Sequence, residues 1–174
     1  MPEERSKRNL YLILKQDYHN NSKKSFIILF FYRLMHAAHG KKWGGCLAVL
    51  SLLRGIVYFL LRIDAQISYE AEIGEDIRLP HSAMGVVVSS FAEIENHITI
   101  YHQVTIGINE NLPVDKRKVI IRNGSYLSVG CKIINAEVGE RSKVGPNAVV
   151  YKDLPADSLY VATGINLHYP SAHE

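Results

Sequence analysis

The chain has 174 residues, of which 47% are hydrophobic and 21% charged, with a formal net charge of +3 at pH 7. That suits one ordinary folded domain with a small appendage and excludes a low-complexity or disordered chain. Two cysteines, Cys46 and Cys131, are too few for a disulfide framework and match no metal-ligand spacing, so a reduced, cytoplasmic setting is expected.

The charged start Pro2-Glu3-Glu4-Arg5 leads into no apolar run with a cleavage site, which predicts no signal peptide. Basic residues gather early, from Arg5 to Lys42, as a solvated face or one turned to an anionic surface. Leu10, Ile13, Leu14 and Tyr18 fall at helical spacing and predict a helix over 8–20. Asn20-Asn21-Ser22 interrupts it, Ser22 or Ser25 can cap the next helix, and Gly40 suits that helix's end. Gly44-Gly45 opens a third helix reaching about Leu61. Its apolar run, Cys46 to Leu61, is broken by Arg54 and Gly55 and falls short of the ~18–20 clean residues of a membrane span. It is therefore expected to be buried, although residues 26–61, with Trp43, Tyr58 and neighbouring lysines, would also suit peripheral contact with the inner face of a membrane.

From Ile63 the pattern changes. Aliphatic residues stand at Ile67, Ile73, Leu79, Val88, Ile94, Ile100 and Ile106, then at Ile121, Leu127, Ile133, Val138, Val144 and Val150. Most steps are six residues, a period that belongs neither to a helix nor to a simple amphipathic strand. It marks hexapeptide-repeat parallel β-helices. Three hexads close a triangular coil, and stacked coils bury an unbroken column of Ile, Val and Leu. The predicted fold is mainly β, a parallel β-helix over 63–155 behind a short α-helical region over 1–62. The polar gap after Ile106 predicts a loop over 108–119 thrown out from one corner, and 156–174 is expected to be an irregular tail containing Gly164, His168 and Pro170.

Three stretches carry a more specific likeness. They are Ile77-Arg78-Leu79-Pro80-His81 followed by Gly85-Val86-Val87-Val88, then Ile100 to Gly107 (Tyr-His-Gln-Val-Thr inside), then Val144 to Val150 with Asp153-Leu154-Pro155. Together they resemble the serine O-acetyltransferase family and its relatives in capsule and exopolysaccharide synthesis. The resemblance implies that the β-helix is left-handed, that the protein is a homotrimer, and that acetyl-CoA is the acetyl donor. It puts His81 on the family's catalytic histidine. Pro80 stands where the serine enzymes have Asp, Gln66 where they have a further catalytic Asp, and Asp115-Lys116-Arg117-Lys118 where they have Asp-Arg-His-Pro. Those departures favour a sugar hydroxyl of a surface-polysaccharide precursor as acceptor, with Gln66 and Arg117 as substrate contacts. L-serine is the alternative acceptor, and a non-catalytic hexapeptide-repeat scaffold the alternative role.

Transfer from a thioester to a hydroxyl needs a base for the hydroxyl and donors for the developing oxyanion. An imidazole, ordinarily with a pKa of ~6.5, is mostly neutral at cytoplasmic pH and suits the first task. The nine-residue step from Leu79 to Val88 adds three residues to a coil of eighteen, so position 79 should stack under 100 and His81 under His102. Both histidines are candidate catalytic residues. His36, His39, His97 and His168 are expected to be packing or surface residues, and Cys131 a small buried thiol. Gly107, Val129, Gly145 and Pro146 are candidate contacts for the CoA arm, and Lys143 and Lys152 for its phosphates. No phosphate-binding Gly loop, metal cluster or nucleic-acid partner is expected.

Overall fold

A computed structural model describes residues 9–162. Three helices come first: α1 (Leu10–Asn20), α2 (Lys23–Gly40) and α3 (Gly44–Leu61). Asn9 caps α1 by accepting from the Tyr11 amide, and Ser22 caps α2 by accepting from the Ser25 amide, which fixes the short turn between them. Arg62, in the left-handed region, ends α3 and turns the chain into the first coil.

Thirteen short strands follow: β1 (Gln66–Ile67), β2 (Glu72–Ile73), β3 (Val87–Val88), β4 (Ala92–Ile94), β5 (Thr99–Ile100), β6 (Thr105–Gly107), β7 (Val119–Ile121), β8 (Tyr126–Leu127), β9 (Lys132–Ile134), β10 (Glu137–Val138), β11 (Lys143–Val144), β12 (Val149–Val150) and β13 (Leu159–Tyr160). They form three all-parallel sheets, ordered β1-β3-β6-β9-β12, β2-β4-β7-β10 and β5-β8-β11-β13, the three faces of a left-handed β-helix. All thirteen aliphatic positions of the six-residue rhythm point inward and are buried, except Ile73, which is half-buried. Parallel pairing puts like on like: Ile67, Val88, Ile106, Ile133 and Val150 make one column.

Two coils are longer than the rest. Ile67 pairs with Val88, Ile106 with Ile133, and Ile133 with Val150, so the extra residues sit at 80–85 and in the loop that follows Gly107. The β-helix also runs past the expected boundary at 155: Leu154 bridges Val138, and β13 pairs with β11. This last strand escapes the sequence rhythm because Leu159 and Tyr160 are exposed, so no buried aliphatic marks it. Gly164, His168 and Pro170 lie outside the described residues.

The helices are not alike in burial. α2 buries Ile28, Leu29, Tyr32 and Met35 against the first coil and its neighbouring helices. α3 buries none of its residues, contrary to the expectation for its apolar run, because it packs on α2 along one side only. Phe59 is 83% exposed and Leu52 66%.

The lower edge of the first coil would expose unpaired backbone groups, an invitation to aggregation or misfolding. Side chains of α2 and of the turn before it stand in for the missing coil. Asn21 donates to the Ile77 carbonyl and accepts from the Leu79 amide, while Ser25 donates to the Leu79 carbonyl. Tyr32 donates to Ala71 O and accepts from Ile73 N; Arg33 donates to Ile73 O and Gly74 O; and His36 Nδ1 lies 2.8 Å from Tyr69 O. Arg33 is itself held by the buried carboxylate of Asp17 at 3.1 Å. The helical region is thus the end cap of the β-helix.

Candidate functional site

The corner between β5 and β6 carries the chemistry. One coil below it, the chain leaves Leu79, passes Pro80 and runs through three consecutive non-glycine residues with positive φ: His81 at 54°, Ser82 at 61° and Ala83 at 52°. Such a run is costly, of order 1–2 kcal/mol per residue, and survives only where the surroundings fix it. It is fixed on both sides. Upstream, Asn21 and Ser25 hold Leu79; downstream, the Met84 carbonyl accepts from the Gln103 amide at 2.7 Å and the Val86 carbonyl from the Gln66 amide at 2.8 Å. Gly85 (φ 65°) closes the bulge. A Cβ there would meet Gln103 Cγ at 3.3 Å.

The bulge pushes the His81 ring outward, where it is exposed, and places it against the next coil. Its centroid is 4.9 Å from that of His102, edge-on at 74°, and 5.9 Å from that of Tyr101. The register expected from the sequence therefore does bring the two imidazoles together. His102 is half-buried, and its Nδ1 is buried without a hydrogen-bond partner among the described residues. Tyr101 and Tyr126, with ring centroids 5.2 Å apart, extend the wall. The hydrogen bond with Tyr101, and to a lesser degree burial, holds the Tyr126 phenol up at about 12, so it stays protonated across the working range. The sequence reading passed over these tyrosines, although Tyr101 adjoins His102 in the chain.

The candidate CoA residues divide between two corners. Gly130 N donates to His102 O and Asn147 N to Val129 O, so Val129 and Pro146 stack directly beyond His102, with Gly145 beside them. Gly145 is buried, and a Cβ there would meet Val161 Cγ1 at 3.1 Å, so its smallness serves the fit of the last strand. Lys143, exposed on β11, lies just before this corner. Gly107 and Lys152, in contrast, sit at the far end of the β6–β12 sheet, by the extruded loop, and do not join the histidines. There a cavity of about 430 Å³ is lined by Ile108, Asn109, Glu110, Leu112, Asn135 and Tyr151, among others.

Neither candidate acceptor contact meets His81. Gln66, exposed on β1, lines a groove of about 620 Å³ between the first coils and α3, with Arg54, Tyr58, Ser68 and Val87. Arg117 folds back on its own loop, donating to Leu112 O and Glu110 O, and so shapes the loop from within. Cys131 lies at the core of the corner column between Val104 and Ala148; burial pushes its thiol up to about 12, which rules it out as a ready nucleophile. His97 binds Asp76, and His36 binds the first coil, so both are structural. No group of three or more potential metal ligands is found among the described residues.

No family model matches the chain. It is, however, similar to the serine acetyltransferase of Helicobacter pylori strain 26695, with 35% identity over 133 residues, covering 76% of this chain and 74% of that protein. Among solved structures it is similar to soybean serine acetyltransferase complexed with serine (TM-score 0.68, 28% identity, 81% of this chain, 56% of that one). It is equally similar to a serine acetyltransferase in complex with CoA (TM-score 0.65, 27% identity, 82% and 56%). The chain spans little more than half the length of those two proteins. These findings overturn the expectation of a sugar hydroxyl as acceptor. That expectation rested on local departures at Gln66, Pro80 and the 115–118 loop, whereas the likeness extends over three quarters of the chain. A left-handed β-helix with the histidine bulge, capped by helices and aligned over this length, shows that the chain belongs to the serine acetyltransferase family.

Proposed function

We propose that this protein transfers the acetyl group of acetyl-CoA to the hydroxyl of L-serine, with His81 as general base. The observation that carries the reading is the exposed, bulge-mounted His81 ring set 4.9 Å from His102 in a family of serine acetyltransferases. His81 takes the proton from the serine hydroxyl as that oxygen attacks the thioester carbonyl. The carbon–sulfur bond then breaks, and the proton passes to the departing CoA thiolate. No acyl-enzyme is needed, in keeping with the unreactive Cys131. His102, with its unpartnered Nδ1, orients the His81 ring or the incoming acceptor. The stacked corner of Val129 and Pro146 receives the CoA arm, and Lys143 its phosphates. Histidine general bases contribute about 10²–10⁴ in rate. Release of CoA with L-serine as acceptor tests the reading, with His81→Ala as control: turnover of serine that His81→Ala abolishes supports it, and no turnover of serine overturns it.

The active unit of this reading is a homotrimer, the assembly that the resemblance implies, in the cytoplasm where acetyl-CoA is available. Light scattering of the purified chain tests it, and a monomer with full activity would exclude it.

A second surface has its own support. Between Tyr18 and Ile63 the chain carries Lys23, Lys24, Lys41, Lys42, Arg54 and Arg62 besides the buried Arg33, and no acidic residue, and α3 within it is long and apolar enough to cross a membrane by length and composition. The apolar side chains and the basic residues at both ends of α3 suit the interface of an anionic bilayer, where each cation near the surface adds about 1 kcal/mol. Sedimentation with phosphatidylglycerol-containing vesicles but not with pure phosphatidylcholine supports peripheral association; no binding to either removes it.

A further inference from the structure

We infer that Asn21 and Ser25, at the start of the helical cap, are positioning residues for the His81 base. The inference rests on the reading of His81 as general base. The bonds that the cap makes to backbone groups of the first coil satisfy its open edge, but two of them act on one residue that has a second task. Leu79 is 2% exposed and lies one residue before the Pro80-His81 dipeptide. Its amide donates to Asn21 Oδ1 at 2.7 Å, and its carbonyl accepts from the buried Ser25 hydroxyl, also at 2.7 Å. Asn21 is braced in turn by donating to Asp17 O and Ile77 O, and Ser25 by its contact with the Ser22 hydroxyl at 2.9 Å.

Both polar groups of Leu79 are therefore held by side chains from the helical region. The next residue is a proline, whose ring fixes φ and offers no amide to hold. Beyond it comes the positive-φ triplet headed by His81, whose one backbone bond among the described residues, Met84 N to His81 O at 3.4 Å, is long. Among the described residues, backbone hydrogen bonds from the neighbouring coil reach the bulge from Met84 onward. Upstream control of where the imidazole stands thus passes through Leu79. Misplacement of a catalytic group by about 1 Å costs on the order of 10²-fold in rate.

The same cap contains a matched control. Tyr32 makes the same kind of buried bridge to the coil edge, accepting from Ile73 N and donating to Ala71 O, on the far side of the coil from His81. Ser25→Ala and Tyr32→Phe each remove one hydroxyl from the cap. The experiment compares kcat, KM for acetyl-CoA and thermal midpoint of these variants and of His81→Ala with the full-length wild type. Ser25→Ala is expected to lower kcat about tenfold with KM for acetyl-CoA within about twofold, while Tyr32→Phe loses a comparable part of the thermal midpoint and keeps kcat. Should Ser25→Ala not fold, Asn21→Ala, which frees the Leu79 amide, carries the same expectation. Wild-type kcat in whichever of these variants folds, or equal losses in Tyr32→Phe, overturns the positioning role while an inactive His81→Ala leaves the reading of the base intact. An active His81→Ala overturns both.

Discussion

The ring of His102 stands edge-on to that of His81, 4.9 Å away at 74°, although the two belong to successive coils. Parallel stacking brings the two residues to the same corner, since the pairing of Arg78 with Thr99 carries both segments into it in step, and the bulge at His81 turns its ring toward His102. The two rings are expected to differ in weight. His81→Ala should lower kcat for CoA release by about 10²–10⁴. His102→Gln, which keeps a polar atom beside the base, should cost about tenfold and alter the pH profile of kcat. Steady-state kinetics across pH check both, and an unchanged profile in His102→Gln would confine that ring to packing.

The buried ion pair of the cap makes a stability prediction. Asp17 and Arg33 have side chains 0% and 7% exposed, and one carboxylate oxygen of Asp17 has no hydrogen-bond partner among the described residues. Burial holds the Asp17 carboxyl above its ordinary value even though Arg33 pulls it down. Arg33→Met leaves that carboxylate buried alone and removes two bonds to the coil edge, so it should destabilise the fold by about 3–5 kcal/mol in urea unfolding. The double variant Asp17→Leu with Arg33→Met should be less destabilised than Arg33→Met alone.

Asp76 predicts an acid-limb effect. Partial burial works against its ionisation, but the hydrogen bond and charge of His97, together with Arg78 and the amide of Asn20, outweigh burial and hold the carboxyl below 3.8. A depressed carboxyl contributes stability that is complete above the unfolded value and fades as pH drops through the folded one. Wild type should therefore exceed Asp76→Asn in thermal midpoint above about pH 4, with the difference closing at lower pH. A difference that widened on acidification would contradict the assignment.

The two cysteines should behave oppositely toward a thiol reagent. Cys46 is exposed on α3, whereas Cys131 is fully buried with its thiol at about 12. One thiol per chain should react in the native protein and two after denaturation. Cys131→Ala should keep kcat within about twofold, since a neutral buried thiol has no part in the transfer.

The coil region was legible because its signal is periodic. Each inward aliphatic repeats a constraint imposed by every coil, and thirteen repeats outweigh any local exception. The histidine pair was legible for the same reason, since counting residues per coil gives the stacking partner of His81. The acceptor was misread because Gln66, Pro80 and the 115–118 loop are single positions, and a single position reports its own contacts and not the reaction. Arg117 illustrates this: its guanidinium serves its own loop.

By itself, then, the sequence determined the parallel β-helix, its bulge and the corner where His81 meets His102, because local periodicity and register are properties of the chain's order. Only the tertiary structure decided that Asn21, Ser25, Tyr32, Arg33 and His36 close the first coil, that α3 is left uncovered, and that Gly107 and Lys152 stand at the wrong corner for the histidines. These depend on which surface the helices dock against, a choice made by unsatisfied backbone groups on an edge that no periodicity records.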